Sequence, residues 1–194
     1  MHPEKLKQSK AQEYFHKSLE IKKEIVDKYG MAITYGQLGR FFRYNRGDFE
    51  NAMDNFTKDL NIAKELGSLK GQTLMLSSLG ECSLKMGNIS EAKDHYRESL
   101  DLAHFTKNKH SQCFAFTGLM ETATAAGELE AFFEDKGPGF TDICKAINEE
   151  GEFPGFLSSR LTNALDLIQG PITDNKWYLE IKNSVLNVEW SERY

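Results

Sequence analysis

The sequence lacks the features of a membrane protein, a secreted protein and a zinc-binding domain. No stretch approaches the roughly 20 uninterrupted apolar residues that a membrane-spanning helix needs, and the N-terminal residues MHPEKLKQSK contain no apolar signal-peptide core. The three cysteines, Cys82, Cys113 and Cys144, are widely separated and outside any CxxC pair, which argues against a disulfide framework and a zinc site. We therefore expect buried free thiols and a cytoplasmic location.

Basic charge is also scarce, because 24 basic side chains stand against 29 acidic ones, for a net charge of -5. Residues 1–130 hold 18 of each sign, whereas the residues after them hold 11 acidic and 6 basic side chains. The chain has no continuous basic stripe to neutralise phosphates, so we expect neither nucleic acid nor an anionic membrane as a partner. With 40% hydrophobic residues and only four prolines, the composition is typical of a folded helical protein.

Catalytic motifs are absent as well. The sequence contains no GxGxxG, no phosphate-binding GxxxxGK[ST], no HExxH and no GxSxG. Three histidines, His95, His104 and His110, could in principle hold a metal, but their positions in and beside one predicted helix favour a helix surface. Cys113 and His110 resemble a nucleophile and its base, but no third group is present to orient them. We expect no enzyme activity, no cofactor and no metal.

A repeat of about 40 residues is the main feature of what is present. The segment AQEYFHKSLEIKKE at Ala11 aligns with AMDNFTKDLNIAKE at Ala52 and with AKDHYRESLDLAHF at Ala92. In each copy an aromatic residue follows the alanine by four positions, and a leucine follows by eight. Ten positions after the alanine stands an isoleucine or a leucine. This spacing places one apolar stripe on one face of a helix. The stripe residues are Phe15, Phe56 and Tyr96, then Leu19, Leu60 and Leu100, then Ile21, Ile62 and Leu102.

A second type of helix alternates with the first. Its copies are YGQLGRFFRYNRGDF, SSLGECSLKMGNI and FTGLMETATAAGEL, which share a leucine at positions 38, 79 and 119. A glycine recurs at 47, 87 and 127, and we predict that it ends each helix in the left-handed conformation. Gly39 and Gly80 stand in mid-helix, where glycine costs about 1 kcal/mol relative to alanine. Their presence predicts a close contact with the paired helix.

Together these positions resemble the tetratricopeptide repeat, in the variant with units of roughly 40 residues known from kinesin light chains and cell-polarity adaptors. The resemblance covers about residues 10–130. It implies an all-α fold, a right-handed superhelix of antiparallel helix hairpins. The units are the second helix of a partial repeat at 10–29, repeats at 31–67 and 71–107, and a degenerate repeat at 111–136 in which Met120 replaces the mid-helix glycine. From the initial half repeat we expect a chain cut from a longer protein, with a poor cap formed by residues 1–9 as the alternative.

Residues 137–194 are predicted to form an acidic helical extension or cap. Gly137, Pro138 and Gly139 are a strong helix breaker, so we expect regular repetition to end near residue 136. Three further helices are predicted from FTDICKAINEE, PGFLSSRLTNALDLIQ and TDNKWYLEIKNSVLNVEW. Their predicted limits are helix starts at Pro154 and Thr173 and a stop at Gly170.

The resemblance implies that the first helix of each hairpin lines a concave groove that holds a partner protein or peptide. Arg40, Arg43 and Tyr44 form a basic and aromatic cluster suited to an acidic or extended peptide, with a solvated helix end as the alternative. The lysine and asparagine clamp of chaperone-binding family members is not matched here. The candidate groove residues are Gly36, Arg40, Arg43, Tyr44, Ser77, Glu81, Lys85, Thr117, Glu121 and Thr124.

The resulting hypothesis is a non-catalytic adaptor or scaffold that binds a protein or peptide ligand. The alternative is a sensor or regulatory segment of a larger signalling protein, such as a nucleotide-dependent switch or a protease that carries repeats. In that case the partner includes the rest of the parent chain. An uncovered half repeat would also permit oligomers to form through the exposed repeat end.

Overall fold

The computed structural model describes residues 3–150 and 155–186, with side chains placed for 10–150 and 155–185. These residues form α-helices and one short 3₁₀ helix, and they include no strand, so the all-α prediction is confirmed for them. The helices divide between two compact units, an N-terminal unit at residues 1–88 and a C-terminal unit at residues 89–194. The N-terminal unit contains α1 (Pro3–Glu24), α2 (Lys28–Arg46), α3 (Phe49–Glu65) and α4 (Leu69–Lys85).

Within the N-terminal unit each helix packs against the next one along the chain. Connections of two or three residues force consecutive helices to run antiparallel. Helices α2, α3 and α4 begin where Asp27, Asp48 and Ser68 accept a hydrogen bond from the backbone N–H three residues further on. Such caps satisfy backbone donors that a helix start otherwise leaves unpaired.

The apolar stripe of the repeat is buried in α3, whereas Ile21, which belongs to the same stripe in α1, is 58% exposed. Ala52, Phe56, Leu60 and Ile62 of α3 are all buried. The helix-ending glycines Gly47, Gly87 and Gly127 have φ angles of 62°, 81° and 73°, which confirms the predicted left-handed conformation.

Gly39 lies against the ring of Phe56, because a Cβ atom at position 39 would stand only 2.4 Å from Phe56 Cε1. The close contact predicted from its mid-helix position is confirmed.

We expect Gly39→Ala to lower the free energy of unfolding by about 1–2 kcal/mol, since the overpacking cost exceeds the gain in helix propensity. Gly139→Ala is the control, because its Cβ would meet Phe116 at an ordinary 3.7 Å. Thermal unfolding followed by circular dichroism checks this, and equal stabilisation by both changes would contradict it.

The C-terminal unit contains α5 to α9. Consecutive helices pack from α5 to α7, whereas α8 packs on α6, and α9 packs on α7 and α8. Among the repeat's stripe residues in α5, Ala92, Tyr96 and Leu100 are buried. The bounds are α5 (Ile89–Phe105), α6 (Lys109–Ala126), α7 (Leu129–Glu149), α8 (Gly155–Asp166), a 3₁₀ helix (Pro171–Asp174) and α9 (Lys176–Leu186).

The predicted helix break at Gly137–Pro138–Gly139 is wrong, since α7 continues through Pro138 to Glu149. Phe133, Phe140, Cys144 and Ile147 are buried on both sides of the proline. Burial along the whole helix outweighs the backbone hydrogen bond that proline removes. The expected boundary at residue 136 therefore falls inside one helix, and the expected separate helix FTDICKAINEE is the second half of α7.

Two predicted helix limits in the C-terminal unit are also corrected. Helix α9 begins at Lys176 rather than at Thr173, because the side chain of Asn175 accepts hydrogen bonds from the N–H groups of Trp177 and Tyr178. Helix α8 ends at Asp166, before Gly170. The predicted start at Pro154 lies outside the described residues.

Candidate functional site

The structure brings some of the predicted groove residues together, since Arg43 contacts Glu81, and Gly36 and Arg40 line one cleft. Ser77 and Thr117 are buried, so their side chains have little access to a ligand, and Gly36, which has no side chain, is buried as well. The exposed candidates are Arg40, Tyr44, Lys85 and Thr124. The remaining three, Arg43, Glu81 and Glu121, take part in ion pairs inside their own unit.

Arg43 of α2 forms an ion pair with Glu81 of α4. Its Nη1 lies 2.6 Å from Oε2 of Glu81, and its side chain is only 9% exposed. The guanidinium lies 4.2 Å from the ring centre of Tyr44 and also donates a hydrogen bond to the Tyr44 hydroxyl. A buried, charge-assisted pair of this kind holds the two helices in place. Of the predicted basic and aromatic cluster, Arg40 and Tyr44 remain exposed.

Glu121 has the same type of partner in the C-terminal unit. Nε of Arg160, from α8, lies 3.3 Å from Oε1 of Glu121, and its Nη2 also donates to the Tyr96 hydroxyl at 3.0 Å. The guanidinium stands 4.0 Å from the ring centre of Phe114. Helix α8 therefore contacts the glutamate that the resemblance predicts to line the groove.

The cysteines are buried free thiols, as their spacing predicts. Burial raises the pKa of Cys82 to about 11, against the opposing charge of Arg43. A hydrogen bond with Cys113 and burial raise the pKa of Cys144 well above its usual range. Thiols that stay protonated at neutral pH are poor nucleophiles.

A cleft of about 290 Å³ opens in the N-terminal unit, among α2, α3 and α4. Gly36 and Arg40, both predicted groove residues, line it. Four large apolar side chains also line it although they are between 42% and 70% exposed: Tyr29, Ile33, Leu66 and Leu74. An apolar set gathered around a cleft is typical of a binding surface rather than of ordinary scattered exposure.

Asp59 is the charged residue from α3 in the lining of this cleft. It is 8% exposed, and its carboxylate lies where Gly36 leaves room, since a Cβ atom at position 36 would stand 2.5 Å from Asp59 Oδ2. Burial raises the pKa of Asp59 to about 6, and the charge of Arg40 opposes this shift. Within the part of the chain that the structure describes, no hydrogen bond or ion pair reaches this carboxylate.

A comparison of the repeat units could have singled out Asp59 from the sequence. The same repeat position is serine at Ser18 and Ser99, and the position of Gly36 holds Ser77 and Thr117 in the later units. An acid and a glycine thus replace small polar residues in one unit only. The exposed apolar residues of the cleft carry no comparable signal, because their exposure depends on how the helices pack.

The chain matches no protein-family model and no curated protein. No helix among the described residues is long and apolar enough to cross a membrane. Across the same residues, no three side chains of His, Cys, Asp or Glu come together in a way that would hold a metal ion.

Proposed function

We propose that the chain is a non-catalytic protein-interaction module, and that a segment of a partner protein binds in the cleft of the N-terminal unit. The observation that carries this proposal is the set of exposed apolar side chains around the cleft, Tyr29, Ile33, Leu66 and Leu74. Leaving such groups in water gives up about 25 cal/mol for each Å² that burial would remove from solvent. A partner that covers them recovers this free energy.

Val26 supports the same proposal. It has a φ angle of 56° and is 74% exposed. The matching repeat positions are Gly67 and Lys107, so a β-branched residue stands where glycine is least strained. Neither its backbone conformation nor its exposure benefits the folded state. Together with Ile25, which is also exposed, Val26 adds apolar surface next to α2, where contact with a partner would give it a role.

The repeat pattern supports the proposal from the sequence side. Residues 10–130 resemble the tetratricopeptide repeat, whose helical arrays serve as adaptors and scaffolds. We propose membership of that group, a role in assembling signalling proteins, and a cytoplasmic location in keeping with the three free thiols.

Charge placed in the cleft is expected to abolish partner binding. The double variant Ile33→Asp, Leu74→Asp, called the cleft variant, puts two carboxylates among the apolar side chains. Both positions are exposed enough for the fold to tolerate them. Phe105→Asp is the matched control, because Phe105 is equally apolar and lies outside the cleft. The immobilised proteins are incubated with extract of the source cells, and retained proteins are identified by mass spectrometry.

The expected result is a partner that the wild type and Phe105→Asp both hold and that the cleft variant loses by at least tenfold. Circular dichroism must show the same helix content for all three proteins. Equal retention by the folded cleft variant would place the binding surface elsewhere and reject the cleft as the site.

A further inference from the structure

The geometry points to a cleft that binds an apolar peptide segment carrying one lysine or arginine side chain, whose cation Asp59 receives. This inference rests on the proposed function and specifies the partner's chemistry. The occupant is a segment of another protein with apolar side chains on both sides of a basic one. Charge complementarity at Asp59 is the argument for it.

The cleft provides space for a side chain to reach the carboxylate. Asp59 is placed by α3, with Gly36 of α2 opposite it, and both line the same cavity of about 290 Å³. That volume is close to the lower end of the range for ligand-binding pockets. A long, flexible side chain with an apolar stem fits such a site, because the stem contacts the cleft wall while the charged end reaches the acid.

The carboxylate of Asp59 forms no ion pair and no hydrogen bond with another described residue, although the charge of Arg40 acts on it from nearby. A buried ionised acid is costly unless it is paired and hydrogen-bonded, and Arg40 does not offset that cost, because burial still raises the pKa of Asp59. By contrast, the acids Glu81 and Glu121 are each bound by an arginine from a neighbouring helix. Asp59 is therefore the acid for which an external cation would supply the missing interaction.

Three other titratable groups line the cleft with Asp59: Tyr29 and Arg40 from α2, and Lys70 from α4. Arg40 is exposed, and its charge favours the ionised form of Asp59. Arg40 and Lys70 repel any cation in the cleft that is not paired with Asp59, so the segment should carry a single basic side chain with neutral or acidic neighbours. Because burial raises the pKa of Asp59 to about 6, binding should strengthen as the pH rises from 5 to 7.5.

A random peptide display library, selected against the wild-type protein at pH 7.5, tests the inference. The enriched peptides are synthesised, and their dissociation constants are measured by isothermal titration calorimetry at pH 5 and pH 7.5. We expect apolar peptides with one Lys or Arg. Asp59→Asn should weaken their binding at least tenfold and remove the pH dependence. Replacing the peptide's basic residue by Met should weaken binding by a similar factor, with little further loss when both changes are combined.

Glu50→Gln, which removes an exposed acid from the same helix, is the control that should bind like the wild type. Peptides without a basic residue, or basic peptides that bind Asp59→Asn unchanged, would overturn the inference. If those peptides still lose binding to the Ile33→Asp, Leu74→Asp variant, the proposed function stands without it. If the peptides bound the Ile33→Asp, Leu74→Asp variant as tightly as the wild type, or if no peptide were enriched, the result would count against both the inference and the proposed function. Light scattering tests a further outcome. If the wild type were a dimer and Asp59→Asn a monomer, the occupant of the cleft would be a second copy of the chain, and the inference would again be overturned.

Discussion

Arg160→Met should reduce the free energy of unfolding of the C-terminal unit by about 3 kcal/mol, the lower end of the range for removing one member of a buried ion pair. Arg160 and Glu121 are only 17% and 26% exposed. The methionine keeps an apolar stem against Phe114, but Glu121 loses the guanidinium that binds it. Tyr96 loses a donor to its hydroxyl at the same time.

Lys145→Met is the matched control, because it removes a cation from an ion pair of the same unit that is largely in solvent. Lys145 and Glu180 are 51% and 29% exposed, and such pairs contribute little to stability because water screens their charges. Urea unfolding followed by circular dichroism gives the free energies. The double variant with Glu121→Gln should lose less than the sum of the two single losses, since it leaves no unpaired charge. Equal losses for Arg160→Met and Lys145→Met would contradict the role of the Arg160 pair.

The helix hairpins could be predicted from the sequence because their determinants are local and recur. The Ala52, Phe56 and Leu60 stripe and the left-handed Gly47 and Gly87 each depend on a few neighbouring residues. The helix through Pro138 could not be predicted, since its stability comes from the burial of side chains on both sides of the proline. Local rules describe a breaker correctly, but they do not include the packing that compensates for it.

The site was less predictable than the fold for a related reason. Glu121 was expected to face a groove, but the structure pairs it with Arg160, 39 residues further along the chain. Ser77 and Thr117 stand at the groove positions implied by the resemblance and are nevertheless buried. Which residues a long-range contact covers depends on how the helices pack, whereas a repeat alignment compares positions one unit at a time.

Asp59→Asn should stabilise the protein at neutral pH by as much as ~3 kcal/mol, the free energy that corresponds to the difference between a pKa of about 6 in the folded state and the ordinary aspartate pKa of 3.8. The raised pKa means that the folded state binds the proton more tightly than the unfolded state does. Below pH 3.8, where Asp59 is protonated in both states, it therefore does not lower the free energy of unfolding of the wild type. The wild type loses stability as the pH rises from 3.8 to 6, and the loss is complete above 6.

The gain from Asp59→Asn should accordingly be near zero at pH 3.5 and largest at pH 7.5. Asp54→Asn is the control on the same helix, because Asp54 is exposed and pairs with Lys58, so its removal should give no gain at either pH. Urea unfolding at the two pH values measures both variants. If Asp59→Asn gained nothing at pH 7.5, the carboxylate would be solvated or paired in solution, and the reason for expecting a partner's cation there would disappear. A gain confined to neutral pH would mean that the chain keeps an acid that destabilises its own fold, as proteins do where a residue is retained for binding rather than for stability.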